Sequence, residues 1–289
     1  MWDVSESQLN ANDISEALAE LGIRSGDSIL VHSSLSSIGR VVGGAEAVIQ
    51  GMMDLVGPQG TLLMPVMPDT TVPFSPESSP SVVGRVTETM RRMPGVVRSN
   101  HPTHSVAAWG ARAVDLTAGH DKSRPCGLDS PYGKLCAVPG WVLLLGVDQD
   151  RNTSWHLAED VADVPYLTTK TALVAYPGGE AAPFRMERSP GGHREFIKWD
   201  RRLYEAGVMR IGRVGQAEAR LMRADRLLEF GLQRLQEDPA AFLCDKPRCV
   251  YCLWARARIE QTADERSWAN VSEQWGCGDP RCVVCYAPS

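Results

Sequence analysis

The chain has no apolar run approaching the roughly eighteen residues that a membrane-spanning helix needs. It also lacks a basic surplus: 30 Lys and Arg against 35 Asp and Glu leave a formal charge of −5, which argues against a binder of phosphate backbones. A charged-then-apolar leader is missing too, because "MWDVSESQLNANDISEALAEL" is acidic and amphipathic. These absences predict a cytoplasmic protein with neither membrane nor nucleic acid as partner. The mild negative balance suits a cationic partner, and it is also the ordinary solubility state of a cytosolic protein.

What remains is globular material. At 289 residues, 43% hydrophobic and 22% charged, the chain can bury a large core as one domain plus an appendage. An amphipathic helix is followed by the apolar run Ser28 to Val31, which stops abruptly in small polar residues and reads as a strand ending in a loop. "GGAEAVIQGMMDLVG" has helical spacing and is stopped by Gly57-Pro58. "GTLLMPVM" and "GWVLLLGVD" are too short for buried helices and read as strands. Strands alternating with helices predict an α/β fold with its ligand crevice beyond the strand C-termini. From "TALVAYPGGEAAPFRMER" the pattern turns hairpin-like about Pro177-Gly178-Gly179, and a long helix, roughly Ala217 to Gln236, closes the main domain.

The composition changes after Asp238-Pro239, setting a boundary between residues 1–240 and a Cys-rich tail, 241–289. Six of the eight cysteines fall in "CDKPRCVYC" and "CGDPRCVVC", two copies of one unit 33 residues apart. In a reducing compartment thiolates at this spacing are more often zinc ligands than disulfides. Each unit offers three sulfurs, Cys244, Cys249 and Cys252 or Cys277, Cys282 and Cys285, whereas tetrahedral zinc takes four donors. His193 in "SPGGHREF" is the candidate fourth ligand; shared sulfurs in a binuclear site are the alternative. A thiolate-rich closed site favours a structural over a catalytic zinc, and inert thiols are the bland alternative.

In "NTSWHLAED", His156 lies just inside a helix opened by Asn152-Thr153-Ser154, with Glu159 three residues on and nearly on the same face. The positive end of a helix favours an uncharged imidazole, which a general base near neutral pH requires. As a zinc clip the pair is poor, since the metalloprotease pattern needs two histidines. Spacing alone leaves it either structural or an acid–base pair. Of the other histidines (His101, His104 and His120 in loops), His32 stands out at the end of a strand, where the crevice is expected.

Six ordered segments, "LVHSSLSSIG", "GTLLMPVM", "GVVRSNHPTHSVAAWG", "DSPYGKL", "VLLLGVDQDRNTSWHLAED" and "GRVGQAEARLM", resemble the aminoglycoside N3-acetyltransferases, the antibiotic N-acetyltransferase family. The resemblance covers roughly residues 10–235. It implies that family's own α/β fold, not the GCN5-type acetyltransferase fold, here with a small Cys-rich C-terminal zinc-binding appendage. "DPAAFLCDKPRCVYC" further resembles the C-terminus of the apramycin-acetylating branch.

The resemblance implies transfer of acetyl from acetyl-CoA to the 3-amine of the 2-deoxystreptamine ring of aminoglycoside antibiotics, conferring resistance. His156 matches the family's catalytic histidine, and Glu187 in "FRMER" falls where family members place an acidic partner. Ser33, Ser34, Leu35, Ser36, Ser37, Ile38 and Gly39, after His32, match the coenzyme A segment, whose small hydroxyl residues ahead of a helix let backbone N–H groups approach a pyrophosphate. Ser105 and Val106 are expected to line the pantetheine arm. Asp69, Glu159 and Asp160 are expected to supply negative charge to a polycationic sugar. Two alternatives stand beside this: an acetyltransferase of the same family acting on another amine, and a zinc-dependent interaction protein without activity.

Overall fold

The computed structural model describes residues 8–264, apart from residues 123, 177 and 179. The amphipathic start is helix α1, Ala11–Leu21, closed at its N-terminus by a capping box in which Asn10 and Asp13 accept from each other's backbone. Its buried Ile14, Leu18 and Leu21 fall on one face. Strand β1, Ser28–Ser33, then leads into the short α2, Leu35–Ile38, and α3, Gly44–Val56, leads into β2, Thr61–Pro65. Helix α4, Arg85–Arg91, strands β3, Val97–Arg98, and β4, Val106–Gly110, and helices α5, Ala113–Thr117, and α6, Pro131–Ala137, follow. Strand β5, Gly140–Leu145, runs through a 3-10 turn at Gln149–Arg151 into α7, Trp155–Val161. Strands β6, Thr168–Ala175, and β7, Ala181–Ser189, form the expected hairpin. The chain continues through α8, Asp200–Glu205, β8, Met209–Val214, β9, Ala217–Arg223, α9, Ala224–Glu237, and α10, Val250–Ile259.

Seven strands make one sheet in the order β3-β4-β2-β1-β5-β9-β8, with the β6–β7 hairpin as a second sheet. Only the middle is parallel: β1 pairs in parallel with β2 and β5, while β4 and β9 pair antiparallel on either side. The apolar runs of these three strands are explained by burial on both faces, the usual state of parallel strands. Leu30, Leu63, Val142 and Leu144 point into one core with Trp155, Leu227 and Phe242. Their neighbours Ile29, Val31, Leu62, Leu143 and Leu145 point into the other, against residues of α1 and α3.

One expectation is corrected. The helix predicted from Ala217 begins at Ala224, and its first seven residues are β9, hydrogen-bonded between β5 and β8. Beyond residue 240, Phe242, Cys244, Tyr251, Cys252, Trp254 and Ala255 belong to the same core as Trp155 and Leu144.

Because β1, β2 and β5 are parallel, their C-terminal ends lie at one edge of the sheet. That edge carries the Ser33–Gly39 segment, the loop holding Asp69 and the turn into α7. Gly146, at φ +70°, allows two of these loops to meet, since a Cβ there would stand 2.5 Å from the Cβ of Ser37.

Candidate active site

The start of α7 is fixed by a buried amide. Gln149, wholly enclosed, accepts at Oε1 from Asn152 Nδ2 and from the Trp155 indole Nε1, each at 3.0 Å. Asn152 Oδ1 in turn accepts from Ser154 N at 3.1 Å, the first bond of the turn. Trp155, fully buried, stacks on Phe196 with centroids 5.6 Å apart, and Phe242 meets it edge-on at 5.0 Å. The indole therefore anchors the helix, and the next residue, His156, points to the partly open side with 18% of its side chain exposed.

His156 Nδ1 lies 2.7 Å from Glu159 Oε2, and the imidazole also meets the Phe196 ring edge-on at 5.4 Å. An ionised carboxylate only accepts, so Nδ1–H donates to it and the Nε2 lone pair is left as the basic position. Among the described residues no hydrogen bond occupies Nε2. Glu159 itself is 0% exposed and is held by Arg194, whose Nε donates to Oε1 and whose Nη2 lies 3.4 Å from Oε2. Burial alone raises a carboxyl pKa, but the Arg194 charge and the His156 bond outweigh it and hold Glu159 down at about 2.

Several expected site residues take other roles. Glu187 is exposed on β7, and the carboxylate on the imidazole is that of Glu159. Glu159 and Asp160 are not open to a cationic sugar. The first is wholly enclosed, and the second, 6% exposed, is met by Arg188 Nε at 3.1 Å and Arg124 Nη1 at 3.3 Å. Asp69 is exposed, its Oδ1 accepting from the backbone and hydroxyl of Thr71 at 2.9 and 2.7 Å, which lowers its pKa. Ser105 and Val106 have no accessible surface to offer a pantetheine arm. Ser105 Oγ donates to the Val66 carbonyl and accepts from Arg98 Nε, and Val106 is core.

In the segment matched to coenzyme A, Ser34, Leu35, Ser36, Ser37 and Gly39 are half-buried or exposed, and Ile38 is core. Ser37 Oγ donates to Ser34 Oγ at 2.8 Å, and Ser34 and Ser36 hydroxyls lie 3.2 Å apart. His32 Nε2 and Ser33 Oγ are buried with no partner among the described residues. Burial drives the His32 pKa down to about 3, so its ring is neutral near pH 7.

At the tail, His193, Cys244, Cys249 and Cys252 bring their ligand atoms within 4.8 Å of one another. His193 Nδ1 stands 3.6 Å from Cys249 Sγ and 3.8 Å from Cys252 Sγ. Tetrahedral zinc with its usual bond lengths separates nitrogen and sulfur ligands by about 3.6 Å. The thiols compete for charge: Cys249 and then Cys252 donate to Cys244 and stabilise its thiolate, while Cys252, donating to Cys244, is pushed far above the usual thiol range. His193 is raised to about 9 by Cys244 and Cys249. Three sulfurs and an imidazole gathered this closely are a donor set that suits a divalent, thiophilic cation, whose binding would displace the imidazole and thiol protons. Cys277, Cys282 and Cys285 lie outside the described residues.

The model of the aminoglycoside 3-N-acetyltransferase family matches residues 30–236, well over half the chain. The chain belongs to that family. Among relatives, the aminoglycoside N(3)-acetyltransferase VII of Streptomyces paromomycinus is 31% identical over 271 residues, covering 81% of this chain and 93% of its own. The aminoglycoside N(3)-acetyltransferase IV of a Salmonella species is 35% identical over 229 residues, covering 78% and 87%. The solved aminoglycoside acetyltransferase AAC(3)-IVa, a histidine-to-alanine variant in complex with a gentamicin, superposes with a TM-score of 0.82 at 32% identity. The match covers 89% of this chain and all of that one. AAC-IIIb, solved as a binary complex with CoASH, gives 0.75 at 30% identity, covering 80% and 97%.

In this member of the aminoglycoside 3-N-acetyltransferases the fold also gathers residues around the His156–Glu159 pair that sequence reasoning missed: Arg194, Phe196, Gln149 and the Tyr166 and Tyr251 rings flanking Arg194. No local signal marks Arg194, because nothing in "WHLAEDV" reveals that Glu159 is buried and needs a counter-charge.

Proposed function

We propose that this protein transfers the acetyl group of acetyl-CoA to the 3-amine of a 2-deoxystreptamine aminoglycoside, in the cytoplasm, and so confers resistance. The observation that carries this is the His156–Glu159 pair, an imidazole with its Nδ1 proton fixed by a buried carboxylate, in a chain of this family. The substrate amine is protonated near pH 7 and first loses that proton. As the neutral nitrogen attacks the thioester carbonyl, His156 Nε2 removes a second proton from it. The tetrahedral intermediate collapses by breaking the C–S bond. The leaving thiolate takes the proton from the imidazolium, which yields the amide and CoASH and returns the base to its starting state. Glu159 keeps the same tautomer throughout and stabilises the transient positive ring.

On the substrate side, Asp69 offers an exposed carboxylate to ammonium groups. The test is thiol release by purified protein with acetyl-CoA and a panel of apramycin, gentamicin, kanamycin and neomycin. Release with at least one drug is expected. Silence across the panel overturns the aminoglycoside reading, and release with a simpler amine instead would assign another substrate.

The same reading includes a structural zinc held by His193, Cys244, Cys249 and Cys252. Four protein donors leave no open position, so the ion takes no part in the transfer. The closeness of His193 to the three sulfurs of the first cysteine unit supports a mononuclear site for that unit over shared sulfurs. Protein prepared without chelator is expected to hold at least about one equivalent of zinc, and Cys249→Ser to lower that content. Metal analysis that finds substantially less than one equivalent in the wild type counts against the site.

A further inference from the structure

The tail cluster and the base are not separate features. His193 is followed by Arg194, and the two residues face opposite tasks: His193 turns its ring to the three sulfurs, while Arg194 reaches Glu159. We propose that Arg194 is a positioning residue for the general base and that the C-terminal cysteine cluster holds it in register.

The guanidinium is constrained on every side. Nε and Nη2 meet the two oxygens of Glu159, and Nη1 donates to the carbonyls of Gly191 at 3.0 Å and His193 at 3.1 Å. Its faces lie between two aromatic rings, Tyr166 at 4.9 Å and Tyr251 at 4.6 Å. A planar cation caught between rings and pinned at its edge has one position, which a lysine could not reproduce.

One of those rings comes from the tail. Tyr251 sits in α10 between Cys249 and Cys252, and its hydroxyl donates to the Tyr166 carbonyl at 2.9 Å, so it spans from the cysteine cluster to the other ring. The chain makes room for it at Gly192, at φ +71°, where any Cβ would overlap the Tyr251 ring. Residues 191–194 and 249–252 thus form one block, tied by the sulfur–imidazole cluster on one side and by the Tyr251–Arg194 stack on the other. The block ends on Glu159, which has 0% exposure and uses both oxygens. Glu159 ends on His156. Without Arg194 the carboxylate would be an uncompensated buried charge, free to turn toward any donor and no longer committed to the imidazole.

This inference rests on the acetyl-transfer reading for its kinetic arm alone. In zinc-containing full-length protein, Arg194→Gln is expected to lower kcat by about 10- to 100-fold with the KM for acetyl-CoA little changed, the pattern of a misplaced base. Arg194→Lys is expected to restore part of that loss. Tyr251→Leu, which keeps the charge but removes one face of the clamp, is expected to lower kcat in the same sense. The second arm needs no turnover: in the wild type, the Arg194 Nε–H should give a slowly exchanging NMR resonance that is lost when the zinc is stripped. Folded Arg194→Gln protein with wild-type kcat overturns the positioning role. A resonance that survives complete loss of metal overturns the coupling to the tail. If the wild type acetylates no amine while the resonance still follows the metal, the functional reading falls and the mechanical link stands.

Discussion

Replacing His156 by Ala is expected to lower kcat for aminoglycoside acetylation by at least about 10²-fold, the lower range for loss of a general base. The size follows from what else the site can do. Deprotonation of the ammonium group can occur in bulk water, but the second proton is lost only as the C–N bond forms, and a base must stand at that place. Glu159 cannot substitute, being wholly enclosed and held at about pKa 2 by Arg194 and His156, too weak a base for an amine proton. His104 cannot either: burial, with the nearby charges of His156 and Lys170, leaves its own pKa well below the ordinary histidine range. The Ser33–Gly39 segment is not part of the His156–Glu159 contact, so the KM for acetyl-CoA should change little while kcat falls. Steady-state thiol release, with circular dichroism to check folding, measures both. Activity near wild type would remove His156 from the mechanism.

The elements legible from the sequence share one physical property, a local signal that tertiary packing reinforces. β1, β2 and β5 are short apolar runs ended by small or polar residues, and burial on both faces is what such runs are suited to. Helix α3 ends at Gly57, which takes φ +65° and donates to Met53 O, as its position in the sequence suggested. Strand β9 was hidden for the opposite reason. "AEARLMR" is made largely of good helix formers, and only pairing with β5 and β8, which no local pattern reports, makes it a strand.

The same division runs through the site. His156 and Glu159 were visible because they are three residues apart on one helix. Arg194 was not, because the pairing crosses 35 residues and depends on Glu159 being buried, which sequence spacing does not reveal. The burial of Ser105 and Val106 was hidden for a related reason. A polar residue ahead of a strand looks accessible until its partners are known, and here Arg98 and the Val66 carbonyl enclose it. His193 was suggested by arithmetic, three sulfurs wanting a fourth donor, and the fold places its ring 3.6 Å from Cys249 Sγ.

The second large effect is expected in stability rather than rate: the protein should lose stability steeply as pH falls from about 6.5 toward 4. Four histidines set this window, since His101 and His104 are held well below the ordinary histidine range, chiefly by burial, alongside His32 and His120. His32, 8% exposed, has its pKa lowered from 6.5 to about 3 by burial, and His120, fully enclosed, to about 4, burial outweighing its bond to Pro125 O. Both stay neutral in the folded protein and become charged in the unfolded chain below about pH 6.5, so the unfolded state binds more protons there and stability falls with pH. By pH 4.5 each histidine accounts for roughly 3 kcal/mol, at about 1.4 kcal/mol per pH unit. Together that is a large part of a typical domain's stability. Glu159 adds to the loss lower down: with its pKa lowered from 4.5 to about 2, its share is present above pH 4.5 and disappears as pH falls through 2. Urea unfolding at pH 7.5, 6 and 5 reads the slope directly, and His32→Gln, which removes one of these linked protons, should make it shallower even if the variant is weaker at every pH. A stability that stays level from pH 7.5 to 5 would mean that these histidine rings are already accessible to water in the folded protein. In that case the orphaned His32 Nε2 beside the Ser33–Gly39 segment would be solvated rather than sealed.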